Sequence, residues 1–165
     1  LKKYFHTFYD EEKIKNDIYN YFNIIFDKVN EIKNILNDIS YLVDSNYYEL
    51  LTDSLNNLIN SKTYEEVVIN LNVKMPNLPK NSLDEVKELK ENISTLIKEI
   101  KVLCKYKNYH EIKESINKTS DYVETIIDII LKLDKEIFEY KFNKDLYEFN
   151  DIAKLIIKIF KENVI

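Results

Sequence analysis

Not one of the 165 residues of this chain is glycine, and all 24 of its basic side chains are lysine, none arginine. Glycine takes positive φ without a Cβ clash, so its absence removes tight hairpin turns of the Asn-Gly kind. It also removes the loops that press backbone N–H groups against phosphate. No Walker A or dinucleotide loop can be built here. Without arginine there is no arginine finger and no bidentate guanidinium clamp. Isoleucine, lysine and asparagine are abundant while glutamine and tryptophan are missing. That pattern fits AT-rich coding as well as selection, so the missing arginines alone say little about function.

Helices remain, and the apolar spacing supplies them. Ile14, Ile18, Phe22, Ile25, Val29, Ile32, Leu36 and Ile39 alternate steps of four and three, a heptad seam that predicts one helix from about Asp10 to Ile39. A shorter helix is expected over Tyr47–Asn60 through Tyr48, Leu51, Leu55, Leu58 and Ile59. Thr63 with Glu66 has the form of a capping box and opens a short helix through Val67, Val68 and Leu71. Pro76 and Pro79 interrupt the chain between Val73 and Asn81, a loop that Met75 and Leu78 should pin. Ser82 with Glu85 repeats the capping pattern ahead of a second seam, Val86, Leu89, Ile93, Leu96, Ile100 and Leu103, ending near Lys107.

Asn108 with Glu111 opens a further helical stretch through Ile112 and Ile116, with a break expected at Asn117–Ser120, where helix formers thin out. A third long helix then carries Val123, Ile126, Ile130, Leu133 and Ile137. Ile127, Ile129 and Phe138 widen its stripe, which predicts the most central place in the bundle. A last helix holds Phe149, Ile152, Ile156, Ile159 and Phe160. No segment alternates as a half-buried strand does. The expected fold is all-α: an elongated antiparallel helical bundle with three long helices and several short ones, forming one domain over 1–165.

Composition agrees, at 45% hydrophobic and 32% charged residues. The single cysteine, Cys104, forms no internal disulfide, and no Cys/His spacing resembles a zinc site, which points to a reducing cytoplasm. No apolar run is long enough to span a bilayer, and no signal peptide is recognisable, so no membrane is expected as a partner. Leu1 is not a methionine and Ile165 follows directly on an apolar periodic stretch, so both ends look cut from a larger protein.

Candidate chemistry is sparse. Most of the carboxylates at Asp10–Glu12, at Asp84, Glu85, Glu88 and Glu91, and at Asp121 and Glu124 lie in the first turns of predicted helices, where the helix dipole favours them, and nothing pairs them for acid/base work. His6, among Tyr4, Phe5, Phe8 and Tyr9, and His110 have no metal or triad partner by spacing. Cys104 reads as a half-buried, inert thiol. The most suggestive surface is lysine-rich: Lys98, Lys101, Lys105, Lys107, Lys113 and Lys118 outnumber Glu99, Glu111 and Glu114. Lys105, Tyr106, Lys107, Asn108, Tyr109 and His110 interleave charge and rings at an inter-helix turn. Such a tip can contact nucleic acid, with lysines neutralising phosphates and tyrosines packing on sugars or bases. The alternative is a solvated lysine face with two tyrosines capping the bundle end. A net charge of −5 favours it and makes any DNA contact local and weak.

Near the C-terminus Leu133–Lys141 is followed by Leu146, Tyr147, Glu148, Phe149, Asn150, Asp151 and Ile152. This resembles the stretch of UvrD/Rep-like superfamily 1 helicases in which a helix ending in lysine precedes an acidic-Phe-x-Asp-Leu signature. Lys141 stands seven residues before Glu148, as in that family. Glu148 replaces the usual Asp, and Asp145 a common Gly. Thr63–Leu71, the proline loop and the helix from Ser82 are similar to the AddA-type helicase–nuclease subunit, so loose similarity covers most of the chain. The resemblance implies the helical 1B subdomain inserted into the first motor domain, with Walker A before Leu1 and Walker B after Ile165. The segment at about 146–165 would re-enter the motor core.

The implied role is a non-catalytic arm near the duplex. Its nucleic-acid-binding candidates are Lys98, Lys101, Lys105, Tyr106, Lys107, Tyr109 and His110. Lys141, Glu148, Phe149 and Asp151 are implied to have a structural role at the core junction. No cofactor is implied for this stretch, whereas ATP and Mg are implied for the parent enzyme. DNA, the remaining motor domains and a second helicase–nuclease subunit are the implied partners. The competing reading is a structural or protein-interaction bundle that pairs through its heptad seams. A four-helix-bundle enzyme would need inward Glu-x-x-His pairs, which are missing.

Overall fold

In the computed structural model the described residues are 7–162, with the side chains of residues 155 and 158–162 excepted. His6, Tyr4 and Phe5 lie outside them, as do the side chains of Ile159 and Phe160. Among the described residues the fold is all-α, with no strand. The helices are α1 (Glu11–Ile39), α2 (Ser45–Ile59), α3 (Tyr64–Asn70), α4 (Asp84–Leu103), α5 (Tyr109–Asn143) and α6 (Phe149–Glu162). Three are long, as the seams predict: α1, α4 and α5 have 29, 20 and 35 residues. The described residues divide into two compact units, 8–117 and 118–162 together with Thr7.

The first unit is built on α1. Asp10 caps it, its carboxylate accepting from the N–H groups of Glu12 and Lys13 at 3.1 and 3.0 Å, while Glu11 and Glu12 meet the positive end of the helix dipole. The residues α1 buries are the eight of the predicted seam, Ile14 through Ile39. Tyr47, Leu51, Leu55 and Leu58 of α2 join this core, as do Tyr64 and Val67 of α3 and Ile93, Leu96, Ile97 and Ile100 of α4. Burying one such aliphatic side chain contributes about 1.5–3 kcal/mol before conformational entropy is subtracted. α4 runs antiparallel to α1, because Tyr21 meets Leu103, Lys28 meets Glu99, and Ile35 lies beside Asn92. The proline loop is held as expected: Met75 and Leu78 pack on the core, and Lys90 donates to the Pro76 carbonyl at 2.6 Å.

Capping differs in detail from the sequence expectation. Thr63 caps α3 by accepting from the Glu66 N–H at 3.2 Å, and Asn108 accepts from the Glu111 N–H at 2.9 Å. In both places the glutamate reaches one residue beyond the cap, to the N–H of Lys62 and of Lys107, at 2.6 and 2.8 Å. Ser82 caps nothing: its hydroxyl donates to the Pro79 carbonyl, and α4 begins at Asp84 without a side-chain cap. The proline turn captures this hydroxyl before the helix can.

Two further expectations are overturned. The helix does not break at Asn117–Ser120 but runs unbroken from Tyr109 to Asn143. Polar, low-propensity residues cost only tenths of a kcal/mol each, and neither glycine nor proline is present to end the helix. Nor is the wide stripe beyond Val123 central. Ile112 is the only residue that α5 buries; Ile126 is 54% exposed, Leu133 54% and Ile137 47%. A wide apolar stripe needs apolar neighbours to cover it, and the described residues of the second unit bring only α6.

Ile25→Ala should cost about 2–5 kcal/mol because it opens a cavity at a fully buried site, whereas Ile126→Ala should change stability by no more than about 0.5 kcal/mol. Urea unfolding followed by circular dichroism measures both.

Candidate nucleic-acid interface and motif hairpin

In the first unit the α4–α5 turn is anchored from below by two tyrosines. α4 ends with unpaired carbonyls, as every helix does. The Tyr21 hydroxyl donates to the Leu103 carbonyl, and the Tyr64 hydroxyl donates to the Tyr106 carbonyl at 2.7 Å. Tyr64 stacks on Phe22 with ring centroids 4.4 Å apart and planes 12° off parallel. Burial raises the pKa of both phenols, so both stay neutral donors. Cys104 lies half-buried between them. Burial pushes its thiol up to about 11, with the Tyr64 hydroxyl countering only part of the effect.

This anchoring decides what the lysine-rich segment presents. Lys98, Lys101, Lys105, Lys107 and His110 are exposed. None of these four lysines is in an ion pair among the described residues, whereas Lys113 is bound to Glu11 at 2.9 Å. The two tyrosines are placed differently. Tyr106 is half-buried, its hydroxyl 2.7 Å from the Ser115 hydroxyl. Tyr109 is half-buried too, its N–H donating to Glu65 at 3.2 Å and its ring 6.3 Å from that of Tyr19. The segment therefore brings together four free cations and a histidine, while its rings are engaged in packing. Tyr19, 51% exposed on α1, and Lys15, 6.0 Å above its ring, complete this surface. The sequence expectation includes neither, although their i, i+4 spacing off the α1 seam is a usable signal.

In the second unit the helicase-like motif residues converge on the α5–α6 turn. Asp145 takes φ 52°, and the Leu146 and Asp145 N–H groups donate to the carbonyls of Lys141 and Phe142 at 2.9 and 3.4 Å. That is a Schellman ending, which glycine normally makes without Cβ strain. Here, in a chain without glycine, Asp145 occupies the position. The Asp151 carboxylate, third in α6, reaches back to the Glu148 N–H at 3.1 Å and accepts from Lys141 Nζ at 2.8 Å. Glu148 is 3.5 Å from the same ammonium. Lys141, Glu148 and Asp151 thus form one clasp across the hairpin, while Phe149 points away, 86% exposed.

A groove of about 740 Å³ runs beside the clasp between α5 and α6, lined by Leu131, Ile137, Phe138, Ala153 and Ile157 with Asp134 and Lys154 at its edge. The clasp pairs its charges and holds no nucleophile. Among the described residues no three His, Cys, Asp or Glu side chains gather to hold a metal, and no helix is long and apolar enough to cross a membrane. No protein-family model, curated protein or solved structure matches this chain.

The Lys141 bond, then the Glu148 N–H, hold the Asp151 carboxyl below its usual range, and the same pairing holds the Lys141 ammonium above its own. A lowered carboxyl pKa contributes stability above the unfolded value of about 3.9, lost as pH falls through the folded value. A raised ammonium pKa contributes fully below about 10.4, lost as pH rises through its folded value. The clasp should therefore hold from about pH 4 to about pH 10. Asp151→Ala should speed hydrogen exchange at the Glu148 amide at neutral pH and abolish the acid limb of its pH dependence, as NMR will show. Cys104 should resist maleimide at pH 7.5 in the native chain and react in urea, since its thiolate is scarce and half-covered.

Proposed function

We propose that this chain is a non-catalytic, DNA-facing helical accessory module of an ATP-dependent DNA helicase or helicase–nuclease of the UvrD/Rep-like, AddA-type kind. The observation that carries the reading is the α5–α6 hairpin. The three polar residues of the helicase-like signature meet in one clasp, and the fourth, Phe149, stands open beside the half-exposed Ile152, Ile156 and Ile157. Such a turn has the form of a junction element whose apolar face is covered by a larger body. The four unpaired lysines at the α4–α5 turn supply the phosphate-contacting end. ATP and Mg belong, in this reading, to the motor domains and not to this module.

A second reading, a protein-interaction bundle, is favoured by the exposed seam Ile126, Ile130, Leu133 and Ile137 on α5, whose steps of four and three are those of a helix that pairs with another. Sedimentation velocity separates the two: association rising with concentration, without salt-sensitive DNA binding, supports the interaction module.

Fluorescence anisotropy with a duplex bearing a single-stranded tail tests the DNA reading. Binding should be weak and steeply salt-dependent. Replacing Lys98, Lys101, Lys105 and Lys107 together by glutamine should lower the slope of log affinity against log salt by about 3, since each phosphate that is no longer neutralised removes roughly 0.7–0.9. An unchanged slope would refute the lysine-mediated binding.

A further inference from the structure

At the lysine-rich turn the rings of Tyr106 and Tyr109 pack against the core and are only partly open. α1 supplies a third ring. Tyr19 stands on the flank of the α1 seam, next to Ile18, and is 51% exposed, its ring 6.3 Å from that of Tyr109 at an interplanar angle of 36° and 6.3 Å from Phe22 edge-on. Those two neighbours hold the Tyr19 ring while leaving part of it open. Lys15, one turn earlier, places its ammonium 6.0 Å from the ring centroid. Of the carboxylates near it, Asp17 is bound to Lys13 at 2.7 Å and Glu11 to Lys113 at 2.9 Å, while Glu12 on α1 and Glu65, which accepts from the Tyr109 N–H at 3.2 Å, are in no ion pair among the described residues. A half-open ring with a cation over part of it, linked through Tyr109 to the turn that carries Lys105 and Lys107, has the make-up of a single-strand stacking platform, where rings take base faces and lysines take phosphates.

We infer that Tyr19 is the base-stacking residue and Lys15 a phosphate-contacting residue of a composite single-strand site. In this site the first turns of α1 join the α4–α5 turn some ninety positions away in sequence. The inference rests on the DNA-facing reading proposed above and identifies the single-stranded part of the substrate as what this face holds.

The test is anisotropy of the full chain with a labelled duplex carrying an oligo-thymidine tail and with the same duplex blunt-ended, at low and moderate salt. Circular dichroism confirms folding of each variant. Tyr19→Ala should weaken binding to the tailed duplex about fivefold or more and leave the blunt duplex within about twofold, while Tyr19→Phe, which keeps the ring, should restore tailed binding. Lys15→Gln should reduce the salt slope for the tailed duplex by about 0.7. Lys33→Gln, an exposed lysine elsewhere on α1, is the control and should change nothing. If Tyr19→Ala and Lys15→Gln bind as the wild type does while the Lys105 and Lys107 variants lose affinity, the composite site is wrong and the DNA-facing reading stands. If the wild type binds neither duplex, both fail. Should Tyr19→Ala lose helix content, Tyr19→Leu replaces it, with equal tailed binding by Leu and Tyr overturning the stacking role.

Discussion

Everything positioned in the first unit depends on the apolar seam of α1. Eight side chains at steps of four and three are each less than a tenth exposed; α2 and α4 pack on this one helix, and α3 packs on α2 and reaches the seam through Tyr64 on Phe22. Because the seam is narrow, α1 keeps its other faces free for polar work, which is how Lys15 and Tyr19 remain outside. Because it is long, the same helix also reaches the end of α4, where Tyr21 takes the Leu103 carbonyl. The α4–α5 turn is thus a consequence of core packing and not an independent loop. Tyr64 repeats the arrangement from α3, stacked on Phe22 of the seam and bonded to the Tyr106 carbonyl.

The second unit obeys a different balance. Its apolar content is high, yet no described residue beyond Asn117 is buried, and its order comes from helical backbone bonding, the Schellman turn and the Lys141 clasp. Local bonds of this kind hold a hairpin, while only burial on a larger surface gives a helix pair strong tertiary stability. Lys141, Glu148 and Asp151 act within that local balance. Their chemistry is the closing of a turn.

The two candidate sites were legible to different degrees. Lys141, Glu148 and Asp151 could be picked from sequence because a short motif names residues that a tight turn brings together, and turns are local. The lysines at 98, 101, 105 and 107 were equally visible, since exposed charge on a helix end needs no partner to be recognised. The placement of Tyr106 and Tyr109 is not legible in the same way. A tyrosine beside lysines looks free in sequence, and only the positions of Glu65, Ser115 and Tyr19 show where its polar groups and ring go. Ser82 failed for the same reason on a smaller scale, because a hydroxyl able to cap a helix is equally able to close the proline turn.

By itself the sequence determined the helical class, the three long helices, the α1 seam residue for residue, and the pinned proline loop. Each of these follows from the spacing of apolar residues along one segment or from the dihedral restriction of proline. It also set the need for an unusual residue in the left-handed position of the α5–α6 turn, since there was no glycine to place there. Only the tertiary structure decided that the widest apolar stripe lies open, that α5 runs through its weakest stretch, and that the free ring beside the lysines belongs to α1. Burial depends on what packs against a face, and the packing of α1 and α3 on the α4–α5 turn joins residues separated by more than forty positions, beyond the reach of any local pattern.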